Sequence, residues 1–344
     1  MAVNNYSTHV DLSNIELDKN EVQVNQTMPS LPTQSRKKLI VCCSGIFICY
    51  FYYGIIQERI TRVPYGEEKE KFVYPMTLVF IQCIVNALFA TAVIKLTYSS
   101  DDIDRTPKTL YIWCAFSYVG AMLASNAALQ YVSYPTQVLG KSVKPIPVMI
   151  LGVLIAKKRY PIQKYLFVLM IVCGVALFLY KDKKQKTDQH KDSIIGLGEL
   201  LLLVSLTLDG MTGATQDKMR VEHNIRSHYM MQKINICSFL ILGTCIVLTG
   251  EIWNSIAFCQ RHPSVLPNML SFSIASALGQ NFIFITVTTF GPLTCSIVTT
   301  TRKFFTILAS VLFYGNALVS RQWLGVVLVF LGLGFDSMFG KTRK

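Results

Sequence analysis

The sequence predicts an all-α membrane protein of ten transmembrane helices, arranged as two inverted repeats of five. Three observations predict this fold class. The chain is 51% apolar and 15% charged, against roughly 25% charged in an ordinary soluble domain. Ten mostly apolar stretches follow one another, each close to the roughly 20 residues that cross about 30 Å of hydrocarbon. The two halves of the chain also match each other in sequence.

The elements follow in order along the chain. Residues 1–36 are mostly polar, without periodicity, and predict a disordered tail. The first repeat, 37–180, a linker, 181–195, and the second repeat, 196–340, precede a basic tail at 341–344. The spans lie near 39–57, 74–94, 109–131, 135–156, 162–180, 197–217, 231–250, 265–287, 293–314 and 321–339.

Two of the connections between predicted spans are almost absent. Tyr134-Pro135 joins the third and fourth spans, and Phe290-Gly291-Pro292 joins the eighth and ninth. Connections this short require antiparallel neighbours, so we expect two tight helical hairpins.

The distribution of basic residues sets the expected orientation, because Lys and Arg near span ends are retained in the cytosol. With the N-terminus in the cytosol, 18 of the 33 basic residues fall on the cytosolic side and 11 on the opposite side. We therefore expect both chain termini in the cytosol.

The internal match keeps a nearly constant offset of about 158 residues along the chain. Because each half has an odd number of spans, the second half must be inverted in the membrane relative to the first. The matched pairs are Gly54 with Gly213, Gln57 with Gln216, Glu58 with Asp217, Asn126 with Asn281, Pro135 with Pro292, Leu166 with Leu324, and Gly174 with Gly332.

Four basic residues fall deep inside the predicted spans, at least six residues from either end: Lys141, Lys144, Arg302 and Lys303. Each cation at a helix centre disfavours insertion by roughly 2.5–3.5 kcal/mol. The two pairs occupy corresponding places in the repeats, and two prolines close after Lys144 remove helix hydrogen bonds there. We expect these cations to converge on one cavity. Phosphate groups match both ammonium and guanidinium geometry, so the cavity predicts a multiply anionic substrate.

Other polar residues inside the spans are candidates for the same site. Three acids, Glu58, Asp209 and Asp217, either balance the cations of the empty site or, for Glu58 and Asp217, cap helix ends at the interface. Interhelical or intrahelical hydrogen bonding is the alternative role for the remaining candidates. Those proposed to contact a base or ribose are Tyr53, Asn126, Gln137, Gln280, Asn281 and Thr299.

The composition also limits other functions. The five histidines lie in the tail or loops, so we expect no metal site at membrane depth and no cofactor. A net charge of +13 suggests nucleic acid, but no soluble segment is long enough for a nucleic-acid module. Two rival functions remain: a membrane glycosyltransferase, which would use Asp102 and Asp104 of a DxD pattern, and an anion channel.

Three continuous segments resemble a known family. They are CYFYYGIIQERI from Cys49, PTQVLGKSVKPIPVMILG from Pro135 and GPLTCSIVTTTRKFFTILAS from Gly291. They are similar to the nucleotide-sugar transporters of solute carrier family 35, subfamily B, in the drug/metabolite transporter superfamily.

The resemblance implies an endoplasmic-reticulum membrane protein that exchanges cytosolic ATP for lumenal ADP. The alternative is exchange of a UDP-sugar, such as UDP-galactose or UDP-glucuronate, for a nucleoside monophosphate. It also implies that Lys141, Lys144, Arg302 and Lys303 bind phosphate and that Glu58 is a functional acid. The expected partners are therefore a nucleotide and the lipid bilayer.

Overall fold

The computed structural model describes residues 33–98, 104–128, 131–132, 137, 140–157, 159–179, 196–313 and 320–339. Within these ranges, side chains are described except at 33–35, 62, 179, 303, 306–313 and 337–339. The Tyr134-Pro135 hairpin and the 181–195 linker lie outside the described residues.

The described ranges contain helices and no β-sheet, with one isolated bridge between Tyr65 and Glu70. Five helices precede the linker: α1 (Thr33–Arg62), α2 (Pro75–Thr97), α3 (Lys108–Ala128), α4 (Pro145–Leu154) and α5 (Ile162–Leu179). Six follow it: α6 (Leu197–His223), α7 (Ser227–Leu248), α8 (Glu251–Arg261), α9 (Val265–Phe290), α10 (Pro292–Phe313) and α11 (Ser320–Phe339).

Six helices in the described ranges are long and apolar enough to cross a membrane: α1, α2, α3, α6, α7 and α9. Two shorter apolar helices cover Pro145–Leu154 and Ile162–Phe178. Large apolar side chains such as Ile48, Leu88 and Leu166 are more than half exposed on the bundle surface, as expected where lipid is the solvent. The chain is therefore an all-helical, multi-pass membrane protein, and the count of ten spans stays a prediction.

The local chemistry of the sequence explains several helix ends. Pro75, Pro145 and Pro292 each stand at the start of a helix, where a missing N–H costs nothing. The predicted hairpin after α9 is present: Gly291 alone separates α9 from α10, with φ of 95°, and its N–H donates to the Val287 carbonyl. Such a backbone angle favours glycine.

Two boundaries differ from the prediction. Helix α1 begins at Thr33, inside the segment predicted as tail, because the polar residues that open it extend the apolar span by nearly two turns. Helix α8 occupies a segment that the hydropathy pattern leaves between two spans. It is short and amphipathic, so its apolar face does not produce a membrane-length run.

The α1–α2 loop is held against α8. Glu251, the first residue of α8, accepts hydrogen bonds from the N–H and hydroxyl of Thr77 at 2.8 and 3.1 Å, which satisfies the start of α2. Glu70 in the loop lies 3.0 Å from the Arg261 guanidinium and 3.1 Å from His262 Nε2. The hydrogen bond from Arg261 lowers the pKa of Glu70.

Helices α5 and α11 form the most extensive pair in the bundle. Gly174 and Gly325 face each other so closely that a Cβ on either would lie under 3.0 Å from the other's carbonyl oxygen. At one end of this pair, Lys164 and Asp336 form a buried ion pair with an Nζ to Oδ1 distance of 2.5 Å. The count of basic residues on each side of the membrane treats Lys164 as a surface residue. In the structure it is buried, because Asp336 of α11 supplies a carboxylate that pairs with its charge.

Candidate functional site

The backbone before α4 changes its hydrogen bonding where Lys141 and Lys144 lie. Residues 140–142 are helical and Val143 and Lys144 form a turn. The N–H groups of Val143 and Lys144 donate to carbonyls three residues back rather than four, at 3.1 and 3.3 Å. Pro145 has no N–H to continue the ladder. This tighter turn places the two lysines on one face.

One carboxylate on α6 joins both lysines. Lys141 Nζ lies 2.7 Å from Asp209 Oδ2, and Lys144 Nζ lies 3.0 Å from Asp209 Oδ1. The exposed fraction of the Asp209 side chain is 11%. Lys141 also donates to the Ser205 hydroxyl at 2.5 Å, and that hydroxyl donates to the Ala121 carbonyl. The cluster is thus a hydrogen-bonded network between the turn before α4 and helix α6, in which Asp209 is buried and the lysines are partly buried.

A cavity of about 170 Å³ opens beside this cluster. Helices on both sides of the predicted linker contribute to its wall. The polar side chains that line it are Tyr50, Tyr118, Lys144, Asp209, Thr212, Gln216, Asn235, Gln280, Ser296 and Thr299. Its volume is below the roughly 300–1,000 Å³ typical of sites that enclose a small ligand. A large ligand therefore requires the helices to separate further.

Arg302 of α10 lies against a residue of the cavity wall. The guanidinium carbon of Arg302 lies 5.3 Å from the centre of the Tyr50 ring, which itself lines the cavity. A cation over an aromatic face at this distance is attracted by the ring quadrupole. The side chain of Lys303 lies outside the described residues.

Two hydrogen-bonded amides, Asn235 and Gln280, also line the cavity. Asn235 donates to the Gln280 side-chain oxygen at 2.9 Å and to the Met231 carbonyl at 2.8 Å. Asn86 donates in turn to the Asn235 oxygen at 3.3 Å. The Gln280 oxygen is engaged by Asn235, which leaves its NH₂ group as the donor that can face a ligand.

Thr299, which also lines the cavity, donates its hydroxyl to the Ser296 carbonyl at 3.1 Å. This is a hydrogen bond within the helix, the role that the sequence offered as the alternative to contact with a base or ribose.

Other predicted site residues are not part of the cavity wall. Gln137 donates to the backbone and hydroxyl oxygens of Ser125 at 2.7 and 3.0 Å. Asn281 accepts a 2.9 Å hydrogen bond from His228, whose other ring nitrogen lies 2.7 Å from the Tyr98 hydroxyl.

Two more of these residues lie on α1 and α3. Tyr53 stacks on Phe272 with ring centroids 4.2 Å apart and donates to Gln82 at 3.2 Å. Asn126 is half-buried on α3 and also lies outside the cavity lining.

The three acids occupy different environments. Asp209 lies in the lysine cluster, Asp217 is buried on α6 with Arg220 Nε at 3.4 Å, and Glu58 is exposed on α1. Asp217 lies nearly two turns before the end of α6, so it does not cap a helix end.

Asp104 of the DxD pattern accepts hydrogen bonds from the Tyr111 hydroxyl and the Thr106 N–H at 2.7 and 3.0 Å. Its carboxylate therefore stabilises the loop before α3; Asp102 lies outside the described residues. Across the described part of the chain, no three His, Cys, Asp or Glu side chains are grouped as metal ligands.

Sequence reasoning missed Tyr50 and Asn235, which both line the cavity. The predicted internal repeat carried a signal for Tyr50. It stands 159 residues before Asp209, the same separation as Gly54 from Gly213 and Gln57 from Gln216. The signal was hidden because a tyrosine and an aspartate share no chemistry.

A helical bundle with an apolar surface and a polar, partly charged cavity between its helices is the architecture of a membrane transporter. The chain belongs to the UAA transporter family, whose model matches residues 38–339. It is therefore a transporter of the nucleotide-sugar and nucleotide class, not an enzyme.

Individual relatives agree with this assignment. Solute carrier family 35 member B1 of Xenopus laevis is 58% identical over 319 residues, covering 92% of this chain and 99% of that protein. The Rattus norvegicus protein of the same name is 57% identical over 312 residues, covering 90% and 96%. A Drosophila melanogaster homologue is 46% identical over 319 residues, covering 91% and 93%.

A protein known from a crystal structure superposes with a TM-score of 0.55, covering 88% of this chain and 98% of that one. Its sequence is 11% identical, so the likeness shows the fold alone.

Proposed function

We propose that this chain is a nucleotide antiporter of the endoplasmic-reticulum membrane that exchanges cytosolic ATP for lumenal ADP. The observation that carries the proposal is the lysine cluster. Lys141 and Lys144 lie within a membrane-embedded bundle, next to a cavity, and share one buried carboxylate. Buried cations disfavour insertion and are retained for function. An anionic substrate with several phosphates suits them.

Ten spans in a 5+5 inverted repeat form the proposed architecture, with repeats at 37–180 and 196–340. The helix pairings support it. In such a repeat α1 to α5 correspond to α6, α7, α9, α10 and α11. The extensive contact between α3 and α6 then corresponds to the extensive contact between α9 and α1. The contacts of α2 with α7 and of α5 with α11 each join a helix to its own counterpart in the other repeat. This is the pattern that a two-fold axis in the membrane plane produces.

Electrostatics explains why transport is coupled exchange. In the proposed cycle, Asp209 neutralises part of the lysine charge when the site is empty and yields the lysines to phosphate when substrate arrives. Arg302 and Lys303 add cations from the second repeat. A site with uncompensated buried charge reorients slowly and a neutralised site reorients readily, so movement in one direction is tied to return with a second anion.

The positive-inside count supports a cytosolic location for both termini. The resemblance to the endoplasmic-reticulum exchangers supports the choice of membrane.

A second candidate is exchange of a UDP-sugar for a nucleoside monophosphate. Membership in a nucleotide-sugar transporter family favours it. A phosphate site of this kind suits both pairs of substrates. The two candidates differ in base and in the number of phosphates.

The proposed function is tested with purified protein in liposomes. Vesicles preloaded with ADP are expected to take up labelled ATP, whereas empty vesicles take up little. Parallel vesicles preloaded with UMP test labelled UDP-glucuronate and UDP-galactose. Uptake of a UDP-sugar alone would replace the ATP/ADP assignment with the second candidate.

Lys144→Gln removes one cavity cation while keeping a side chain of similar length, so exchange should be lost. Lys95→Gln is the matched control, because Lys95 is an exposed residue in the last turn of α2. Both variants should elute as folded protein in size-exclusion chromatography. Full exchange by Lys144→Gln would refute the assignment of the site.

A further inference from the structure

Helices α7 and α9 contribute an uncharged part of the cavity wall. Four residues of α9 at helical spacing share one side of the helix and line the cavity. They are Gln280, Ile283, Phe284 and Val287. Helix α7 adds Ile234 and Asn235. Among the described residues that line the cavity, these two helices supply apolar side chains and two neutral amides. A phosphate group here would lose hydration without meeting a cation, whereas a flat, uncharged heteroaromatic ring suits such a wall.

The neighbours of Asn235 fix the direction of its amide. Its NH₂ group donates to the Met231 carbonyl at 2.8 Å and to the Gln280 side-chain oxygen at 2.9 Å. Its oxygen accepts a hydrogen bond from Asn86 at 3.3 Å. If the Asn235 amide turned over, its oxygen would face the Met231 carbonyl, and neither group could donate. Asn86 and Asn235 are both fully buried, so water does not replace the lost hydrogen bonds.

The direction of the Asn235 amide sets the direction of Gln280. Because Asn235 presents a donor, Gln280 must turn its oxygen toward Asn235. The Gln280 NH₂ group is left for the cavity, and it has no hydrogen-bond partner among the residues that the structure describes. The exposed fraction of Gln280 is 8%. The cavity therefore contains a buried donor whose direction is set before a ligand arrives.

We propose that Asn235 is a positioning residue that holds Gln280 as a hydrogen-bond donor, and that Gln280 donates to an acceptor nitrogen of the substrate's base. This rests on the proposed function. The ring nitrogens N1, N3 and N7 of adenine are acceptors, whereas its exocyclic amino group is a donor. Asn86, Asn235 and Gln280 thus form a chain of amides that recognises the base, while the cations bind the phosphates.

The experiment removes the acceptor nitrogens of adenine one at a time. ATP, 1-deaza-ATP, 3-deaza-ATP and 7-deaza-ATP compete against uptake of labelled ATP into ADP-loaded proteoliposomes. Each analogue keeps the ribose and triphosphate and has C–H in place of one ring nitrogen. For the wild-type protein, the half-inhibitory concentration of one analogue should exceed that of ATP at least about tenfold, because a buried donor is left without an acceptor.

Two variants test the donor and its positioning through the ratio of these two concentrations. Gln280→Met keeps the length of the side chain and removes the donor, so the ratio should fall to about one. Asn235→Ser can still donate to the Met231 carbonyl within the helix, but it is too short to reach Gln280. Gln280 can then turn away from the C–H group, and the ratio should fall at least about threefold. A purely structural role for Asn235 would weaken ATP and the analogue alike and leave the ratio unchanged.

Asn235→Asp, which has the same size, covers the case in which Asn235→Ser does not fold. An aspartate presents only acceptors to Gln280, which should turn its NH₂ group toward it and its oxygen toward the cavity. The analogue should then compete at least as well as ATP. Gln232→Met is the matched control, because Gln232 also lies on α7, donates to the Thr91 hydroxyl at 2.7 Å and is not part of the cavity wall. Its ratio should equal that of the wild-type protein.

The outcomes separate the two proposals. If the wild-type protein does not exchange ATP, the proposed function fails and the contact with adenine fails with it. If ATP is exchanged but all three analogues compete as well as ATP, or the ratio is the same in Gln280→Met, only the contact with the base is overturned. An unchanged ratio in the folded Asn235 variant overturns the positioning role.

Discussion

The contact between α5 and α11 allows a quantitative prediction for Gly325→Ala. A Cβ at this position would lie 2.6 Å from the Gly174 carbonyl oxygen and 2.9 Å from the Phe178 nitrogen. Both atoms belong to helix backbone, so neither can turn away as a flexible side chain can. To reach the ordinary contact distance of 3.4 Å, the helices must separate by about 0.8 Å.

Two opposing effects set the sign of the change in stability. Alanine is favoured over glycine inside a helix by roughly 1 kcal/mol. Overpacking costs about 1–3 kcal/mol, and a gap of 0.5–1 Å forfeits roughly a quarter to a half of each dispersion contact along the seam. The seam contains fully buried side chains, among them Val168, Ile171 and Val329. Subtracting the propensity gain from the combined cost of overpacking and lost contacts, we expect a net loss of about 1–2 kcal/mol.

Gly334→Ala is the matched control on the same helix, because no described atom lies within 4 Å of its Cβ position. It keeps the gain in helix propensity without the clash. The assay is thermal denaturation in detergent, followed by fluorescence-detected size-exclusion chromatography. The melting temperature should fall for Gly325→Ala and stay the same or rise for Gly334→Ala. Equal melting temperatures for the two variants would refute the close-packing argument.

Two further predictions concern ion pairs away from the cavity. Lys164→Met removes the lysine that lies 2.5 Å from the Asp336 carboxylate, so the free energy of unfolding should fall by about 3–5 kcal/mol. In thermal melting, the double variant with Asp336→Leu should recover the lost stability. An unchanged melting temperature for Lys164→Met would contradict this. Because its pKa is lowered in the folded protein, Glu70 stabilises the loop above its ordinary pKa of about 4.3, and this contribution is lost as pH falls through the lowered value. Hydrogen exchange of residues 63–74 should therefore increase in acid relative to the intrinsic rate, and Glu70→Gln should remove that pH dependence.

Much of the helical framework could be predicted because it depends on properties of single segments. A run of apolar residues long enough to cross the membrane identifies a span without knowledge of its neighbours. The Gly291 hairpin was predictable for the same local reason, since glycine and proline restrict the backbone where they stand. Helix α8 was not predictable by that criterion, because an amphipathic segment of 11 residues lacks a membrane-length run.

The candidate site was predictable in part. The spacing of Lys141 and Lys144 indicates that they share a helical face, and the structure places both on Asp209. The partners of the amides were not predictable. Gln280 lies on the cavity, whereas Asn281, its neighbour in sequence, is turned toward His228. Successive residues of a helix point about 100° apart, so only the packing of α9 decides which amide faces the cavity.

The sequence by itself determined that this chain is a helical membrane protein, and it predicted an internal repeat and four costly cations deep within the spans, because hydropathy, length and charge are counted along one chain. Tertiary structure decided which groups surround those cations. Asp209 meets two lysines that precede it by 65 and 68 residues, and Tyr50 meets Arg302 from the opposite end of the chain. Ion pairing and cation–π attraction act over a few ångströms, so they depend on how the helices pack.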